Sequence, residues 1–262
     1  MRNPCRSLPF VLALAIAWFS GCSSPRWTNH FAGDVWGGAF TEQVQNPSRL
    51  VPEATLLATI PLSFYYDDEI FAHYGRGNLD STTKTSADGL QIFLPSIPVL
   101  VGGLKWAGGD SENFEVVAES LGGVVAIQQL LARTVQRERP DEKDDTSFPS
   151  GHTSWAFAAT TLIVRDVHDP ADTSFHAVDA LLYMPALFNA WERVRISHHW
   201  ASDVTCGALI GVLWTNLVWD AHFKSDDPTR PTVFEGKQKG IAWSPSMDVV
   251  DGRPAFGITI GI

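Results

Sequence analysis

The sequence predicts an all-α protein, a bundle of about six core helices, with a short β-hairpin at the C-terminus. Long apolar segments with helix start and stop signals alternate with short polar stretches. Hydrophobic residues make up 45% of the 262 residues, including 10 Trp and 15 Phe, which suffices for one core. Near the C-terminus, Asp251-Gly252 separates two alternating runs, a typical hairpin signal.

The chain is predicted to divide into four parts. Residues 1–21 form a signal, and residues 22–48, which show no helical period, form a tether and a surface strap. Residues 49–222 form the helical domain, and residues 223–262 form a tail that contains the hairpin. Within the domain we expect helices at 49–66, 89–107, 112–135, 150–167, 175–191 and 200–222.

The N-terminal signal is typical of export. Arg2 and Arg6 precede an uncharged, mostly apolar stretch that ends in small residues before Cys22. This arrangement resembles the lipobox of bacterial lipoproteins, in which the cysteine is lipidated after cleavage, although Phe19 departs from it. An ordinary secretory signal and an uncleaved anchor are the alternatives. We expect a periplasmic protein attached to the membrane through Cys22.

Prolines and charges refine the predicted helices. Pro95 and Pro98 are expected to break the second helix, and Pro140 to end the third. Residues 75–88 are polar and are predicted to be a loop. The acidic run 67–69 is interpreted as a solvated loop or helix end in preference to a cation site.

Two general properties restrict the function. The net charge of −10 argues against a nucleic-acid partner, because such proteins carry a basic face. The uncharged runs after the signal are shorter than the roughly 20 residues of a membrane span, so we expect buried helices of a soluble bundle. Gly207 and Gly211 in the last helix are expected to let a neighbouring helix approach closely.

The segment Pro149-Ser150-Gly151-His152 is the first candidate site. Serine is a favoured N-cap, and the apolar run after it predicts a helix whose N-terminal N–H groups attract an anion. Gly151 permits close backbone approach, and His152 would lie beside a bound phosphate, able to protonate a leaving oxygen. An ordinary capped helix with an exposed histidine is the alternative.

His199 and Asp203 form the second candidate. Their spacing of four places both side chains on one helix face. A carboxylate bound to one ring nitrogen fixes the tautomer and makes the other nitrogen a nucleophile, which suits attack on phosphorus through a phosphohistidine. A surface pair or half of a metal site would show the same spacing.

Arginines complete the set, because guanidinium groups bind phosphate oxygens in pairs. We expect Arg137, Arg139 and Arg193 to contact the phosphate. Arg137 and Arg139 differ by two positions, so a regular helix does not aim both at one point. Each arginine alone would be interpreted as a solvated charge.

Together these residues resemble the type 2 phosphatidic acid phosphatase (PAP2)/haloperoxidase superfamily, with its motifs K-x6-R-P, P-S-G-H and S-R-x5-H-x3-D. The resemblance covers roughly residues 50–222. It implies His199 as nucleophile, Asp203 as its orienting partner and His152 as general acid, in a mechanism that needs no metal or other cofactor. It also implies a phosphate cradle, formed by Arg139, Arg193, Ser150 and the N–H of Gly151.

Two positions depart from the motifs. Ala132 stands where the family has lysine, and Glu192 where it has serine. Either Arg133 or Arg137 supplies the missing cation, or one phosphate contact is lost. Glu192 would either repel the substrate or hold Arg193.

The sequence therefore predicts an exported phosphatase of a phosphomonoester or pyrophosphate, with a membrane lipid or a small soluble ester as substrate. A non-catalytic module that binds phosphate or lipid and a vanadium-dependent haloperoxidase remain the alternatives.

Overall fold

The computed structural model describes residues 33–75, 81–168, 176–223, 242–250 and 253–261. The predicted signal and Cys22 lie outside these ranges. The described elements are α1 (Gly33–Gln45), α2 (Pro47–Tyr65), α3 (Asp67–Tyr74), α4 (Ser81–Ala107), α5 (Ser111–Val135), α6 (Gly151–Val167), α7 (Ala177–Arg195), α8 (Ala201–Phe223), β1 (Ala242–Val250) and β2 (Arg253–Gly261). The predicted all-α class is confirmed.

Helix α8 is the centre of the bundle and contacts α1, α2, α5, α6 and α7. Its closest neighbour is α6. A Cβ at Gly207 would lie 2.7 Å from the carbonyl oxygen of Ser150, and one at Gly211 would lie 2.5 Å from that of Ser154. The expectation that these glycines permit a close helix approach is therefore confirmed. The core cluster includes Val116, Val124, Phe157, Leu162, Val212 and Val218.

Buried polar side chains join four helices at the end of α8 away from its N-terminus. The guanidinium of Arg49 binds Asp220 (Nη2 to Oδ1, 2.7 Å), and Nε2 of Gln43 donates to the other carboxylate oxygen at 2.8 Å. Arg165 on α6 donates to Oδ1 of Asn216 at 2.9 Å. Because these groups are hydrogen-bonded, their burial is compatible with a stable core.

Several element boundaries differ from those expected. Residues 33–45 form helix α1 where we expected a strap. The glycines of α1 have low helix propensity, but the packing of the helix against the bundle, which buries Ala39, compensates for it. Helix α4 begins at Ser81, inside the predicted loop, and continues through Pro95 and Pro98. Helix α5 ends at Val135, as in the predicted range 112–135, so Pro140 does not itself set that end.

The C-terminal strands pair antiparallel, with Val250 opposite Arg253. Asp251 and Gly252 lie outside the described residues, so the hairpin with its turn stays a prediction.

By length and composition, the described helices α5 and α8 would each suffice to cross a bilayer. In their most apolar 18-residue windows, 28% of α5 and 61% of α8 is buried inside the bundle. Core helices of globular proteins have the same length and apolar composition, so these two properties do not distinguish a membrane span from a core helix.

Candidate active site

A cleft of about 680 Å³ opens between α4, α5 and the N-terminus of α6. It brings together four of the predicted site residues, which are far apart in sequence: Arg139, Gly151, His152 and His199. The other lining residues are Ile92, Val125, Gln128, Gln129, Ala132, Arg133, Thr146 and Trp155.

The N-terminus of α6 forms one wall of this cleft. The helix begins at Gly151, as expected, and Ser150 is its N-cap residue. The Ser150 side chain makes no capping hydrogen bond, so it does not occupy the N–H groups of the first turn, which remain suited to an anion. His152 lines the cleft and has an exposed side chain, which suits the predicted general acid.

Ser150 itself lies behind the cleft. Its side chain is fully buried, and its Oγ accepts a hydrogen bond from Oγ1 of Thr153 at 3.0 Å. We expected this hydroxyl to contact the substrate. The structure instead leaves that contact to the backbone at Gly151, since Ser150 is not among the lining residues.

His199 lies at the floor of the cleft and is buried, with 3% of its surface exposed. Its Nδ1 lies 2.7 Å from the carbonyl oxygen of Ser147. Because a carbonyl only accepts hydrogen bonds, Nδ1 carries the proton and Nε2 presents a lone pair. Burial lowers the pKa of His199 to about 3, despite the Ser147 hydrogen bond, and the positive charge of Arg139 adds to the effect. The ring is therefore neutral at physiological pH, as a nucleophile requires.

Asp203 does not bind His199 directly, contrary to expectation. Its Oδ2 lies 3.9 Å from Nδ1. That oxygen instead accepts hydrogen bonds from Oγ of Ser147 and from the N–H of Trp200. Asp203 is therefore connected to His199 through Ser147, whose hydroxyl it binds while the Ser147 carbonyl binds the imidazole.

Arg137 lies behind His199 and does not line the cleft, so the structure does not support the prediction that it binds phosphate. Its Nη1 donates to Oδ1 of Asp203 at 2.8 Å, and its Nη2 donates to Oδ2 of Asp67 at 2.7 Å. The helix that precedes it ends at Val135, and Gln136 adopts a left-handed conformation with φ of 50°. This turn sends Arg137 toward α8 and leaves Arg139 to the cleft.

Asp67 was missed by the sequence reasoning, which treated the acidic run as solvated. The side chain is buried and accepts hydrogen bonds from the N–H and Oγ of Ser202. Its two neighbours, Asp68 and Glu69, are exposed, as expected for a helix end. No local signal separates the three carboxylates, because the partners of Asp67 are more than 60 positions away.

Arg139 and Arg133 are the arginines that line the cleft. Arg139 is held by Asp144, with 2.9 Å between Nη1 and Oδ2. Arg133 follows Ala132 on the last turn of α5, and both residues line the cleft, so Arg133 is placed to supply the cation that the motif lysine would give.

Arg193 and Glu192 lie at the buried end of α7. The Arg193 carbonyl accepts a hydrogen bond from the N–H of His199 at 3.3 Å. Arg193 therefore lies next to His199, although its side chain is buried and does not line the cleft. Its contact with phosphate stays a prediction. Glu192 is fully buried and lies 3.6 Å from Nη1 of Arg195, and it is also absent from the cleft lining. It is therefore not placed to repel a substrate.

Among the described residues, no cluster of three or more His, Cys, Asp or Glu side chains has an arrangement suited to a metal ion. The two predicted catalytic histidines, His152 and His199, share the cleft with Arg133 and Arg139. Cationic groups of this kind stabilise the charge of a phosphoryl group during transfer.

The chain is similar to known proteins in sequence and in structure. The chain is 38% identical over 181 residues to a protein of Porphyromonas gingivalis named lipid A 1-phosphatase, and the match covers 66% of this chain and 39% of the relative. The crystal structure of Aquifex aeolicus LpxE aligns with a TM-score of 0.40 and 21% identity, over 59% of this chain and 94% of that one. Residues 116–227, which contain the cleft-lining part of α5, the P-S-G-H segment and His199, match the sequence model of the PAP2 superfamily, in agreement with the resemblance that the motifs indicate.

Proposed function

We propose that this protein is a phosphoric ester hydrolase that acts on a phosphomonoester or pyrophosphate through a phosphohistidine at His199. The observation that carries the proposal is the buried, neutral imidazole at the cleft. Its Nδ1 is bound to the Ser147 carbonyl, so Nε2 is the nitrogen left for the substrate.

The reaction follows from the positions of the lining groups. The phosphate lies at the N-terminus of α6, between the guanidinium groups of Arg133 and Arg139. Nε2 of His199 attacks phosphorus, and the bond between phosphorus and the leaving oxygen breaks as His152 donates a proton to that oxygen. His152 then accepts a proton from water, which attacks the phosphohistidine and releases inorganic phosphate.

A lipid phosphate is the substrate class that we infer. The relative from P. gingivalis is named for a lipid phosphatase activity, although the matched region spans only 39% of its length. The cleft also carries apolar side chains at Ile92, Val125 and Trp155, and the Ile92 side chain is 73% exposed. These residues offer contact to hydrocarbon beside the phosphate site. A lipid on Cys22 would hold the enzyme at the envelope membrane, where such substrates reside.

Hydrolysis of an aryl phosphate in the presence of EDTA tests the mechanism. His199→Ala should lose at least about 10³-fold in kcat, because the nucleophile is removed. His73→Ala is the matched control, since His73 is exposed on α3 outside the cleft. Equal rates for His199→Ala and the wild type would refute the mechanism.

Two further measurements address the intermediate and the substrate. Rapid quenching with a ³²P-labelled substrate should trap label on protein that is stable in base and labile in acid, as expected of a phosphohistidine. Mixed vesicles that contain a phosphorylated lipid should be hydrolysed with a higher kcat/KM than the aryl phosphate. A preference for the aryl phosphate would contradict the lipid substrate and leave the mechanism intact.

A further inference from the structure

We propose that Asp67 and Arg137 are positioning residues of the nucleophile: they hold Asp203 and Ser147 in the arrangement that presents Nε2 of His199 to the cleft. The inference rests on the proposed function, in which His199 attacks phosphorus. It assigns a role to α3 and to an arginine outside the cleft, neither of which touches the substrate.

A continuous series of hydrogen bonds joins these residues. Asp67 accepts from Nη2 of Arg137, and Nη1 of Arg137 donates to Asp203. Asp203 accepts from Oγ of Ser147, and the Ser147 carbonyl accepts from Nδ1 of His199. Four elements thus meet behind the nucleophile: the start of α3, the loop after α5, the segment before α6 and the start of α8.

The guanidinium of Arg137 donates to three side chains, those of Asp67, Asp203 and Ser202. Besides the two carboxylates, Nη1 donates to Oγ of Ser202 at 2.6 Å. The rings of Phe64 and Trp200 lie with their centroids 5.3 Å from Cζ, so aromatic faces cover the group. An arginine held at both ends and covered in this way is not free to swing toward a phosphate.

Ser147 is fixed through its backbone as well as through its side chain. Its N–H donates to the carbonyl of Arg137 at 2.9 Å, and its hydroxyl binds Asp203. The Ser147 carbonyl keeps the proton of His199 on Nδ1 by accepting a hydrogen bond from it. A small displacement of Ser147 would therefore rotate the imidazole or let the proton move to Nε2. Displacements of about 1 Å can cost around 10²-fold in rate. Arg137 therefore influences the orientation of the reacting nitrogen by two routes through Ser147: its carbonyl accepts from the Ser147 N–H, and its guanidinium holds Asp203, which binds the Ser147 hydroxyl.

Charge explains why the arginine is needed. Asp67 and Asp203 are both buried, with 5% and 0% of their surfaces exposed, and one guanidinium lies between them. Without Arg137, two buried carboxylates would face each other uncompensated, and Asp203 would take up a proton more readily. A protonated Asp203 accepts fewer hydrogen bonds and holds Ser147 less firmly.

Steady-state kinetics of the full chain with an aryl phosphate test the inference. Asp67→Asn keeps the shape of the side chain but removes its charge, and it should lower kcat by about 10- to 100-fold. KM and the inhibition constant of inorganic phosphate should stay within about threefold of the wild type, because no phosphate ligand is altered. Asp68→Asn, an exposed neighbour on the same helix turn, is the matched control and should keep the wild-type kcat.

Arg137→Gln supplies a readout that a general loss of stability would not give. The charged groups around Asp203 are Arg137, Asp67 and His199, with the Cys206 thiol on the next turn. Burial raises the pKa of Asp203, and Arg137 opposes that rise. Removing the cation should therefore move the acid limb of kcat to higher pH. Arg137→Lys should restore part of kcat and return the limb toward its original position.

The outcomes separate the two proposals. If His199→Ala is inactive and Asp67→Asn matches Asp68→Asn, the positioning role is overturned while the proposed function stands. If Arg137→Gln raises the inhibition constant of phosphate about tenfold and leaves kcat unchanged, Arg137 is a phosphate ligand instead. If Asp67→Asn and Arg137→Gln both fail to fold, Ser202→Ala tests the positioning role in their place, because it removes one hydroxyl between Asp67 and Arg137. A reduced kcat with unchanged KM supports the role, and an unchanged kcat overturns it.

Discussion

Replacement of Arg133 by glutamine tests whether this chain has a working substitute for the lysine of the first motif. Ala132 occupies the lysine position, and Arg133, one residue later, lines the same cleft with an exposed side chain. If Arg133 binds the phosphate, its removal deletes one charged hydrogen-bonding contact, which is worth about 1.5–3 kcal/mol. Since about 1.4 kcal/mol changes a rate tenfold, kcat/KM should fall roughly 10- to 100-fold.

The rescue variant makes this experiment specific. Ala132→Lys in the Arg133→Gln background restores a cation one position earlier on α5, and residue 132 also lines the cleft. The double variant should recover at least part of the lost kcat/KM. Lys105→Gln is the matched control, because it removes the same charge from the far end of α4, where Lys105 pairs with Asp166.

The assay is kcat/KM for aryl phosphate at low ionic strength, where exposed charges are screened least. An Arg133→Gln variant with wild-type kcat/KM would refute the reasoning. It would mean that Arg139 and the N-terminus of α6 hold the phosphate without Arg133.

Three further predictions concern stability and protonation. Gly211→Ala should destabilise the fold by about 1–3 kcal/mol, because the new Cβ meets α6 backbone atoms at 2.5 and 2.9 Å. Gly122→Ala is the control: a Cβ there has no atom within 4 Å, so this variant should have a raised or unchanged melting temperature. Equal melting temperatures for the two variants would contradict this prediction. His222 is buried, which lowers its pKa, but two glutamates of α5 bind it and raise the pKa above the ordinary value. Its stabilising contribution is thus complete below pH 6.5 and is lost as pH rises through the folded pKa, so melts should show the gap between wild type and His222→Gln closing at alkaline pH. His199, with its pKa near 3, should show ring ¹⁵N shifts of a neutral imidazole protonated at Nδ1 between pH 5 and 8, and a titration midpoint near 6.5 would contradict the buried geometry.

The chemistry-bearing helix starts were predictable from sequence because their signals are local. Serine followed by an apolar run predicts the start of α6 at Gly151, and the structure confirms it. The four-residue spacing of His199 and Asp203 predicts one helix face, but His199 lies before α8, which begins at Ala201. The two side chains are still neighbours, with 3.9 Å between Nδ1 and Oδ2, and Ser147 connects them. Local signals thus located the residues without giving their contacts.

The remaining features depend on partners that are distant in sequence. The three acidic residues 67–69 are indistinguishable by composition, and only the packing of α3 against α8 selects Asp67 for burial. Arg137 and Arg139 each fit a phosphate-binding prediction. Which arginine faces the cleft depends on the left-handed conformation of Gln136 and on the carboxylates of Asp67 and Asp203, which bind Arg137. Tertiary contacts of this kind also fold α1, where the glycines predict no helix.

The two chemical halves of the site are held together by the contact between α6 and α8. The backbone N–H of Ser150 donates to the carbonyl of Asp203 at 3.1 Å, which links the start of one helix to the first turn of the other. Gly207, one turn later, lets the Ser150 carbonyl approach to within 2.7 Å of the place a Cβ would occupy. A larger residue there would push the N-terminus of α6, with Gly151 and His152, away from His199. The spacing between His152 and His199 therefore depends on a small residue outside the cleft, because backbone contact holds the starts of α6 and α8 together.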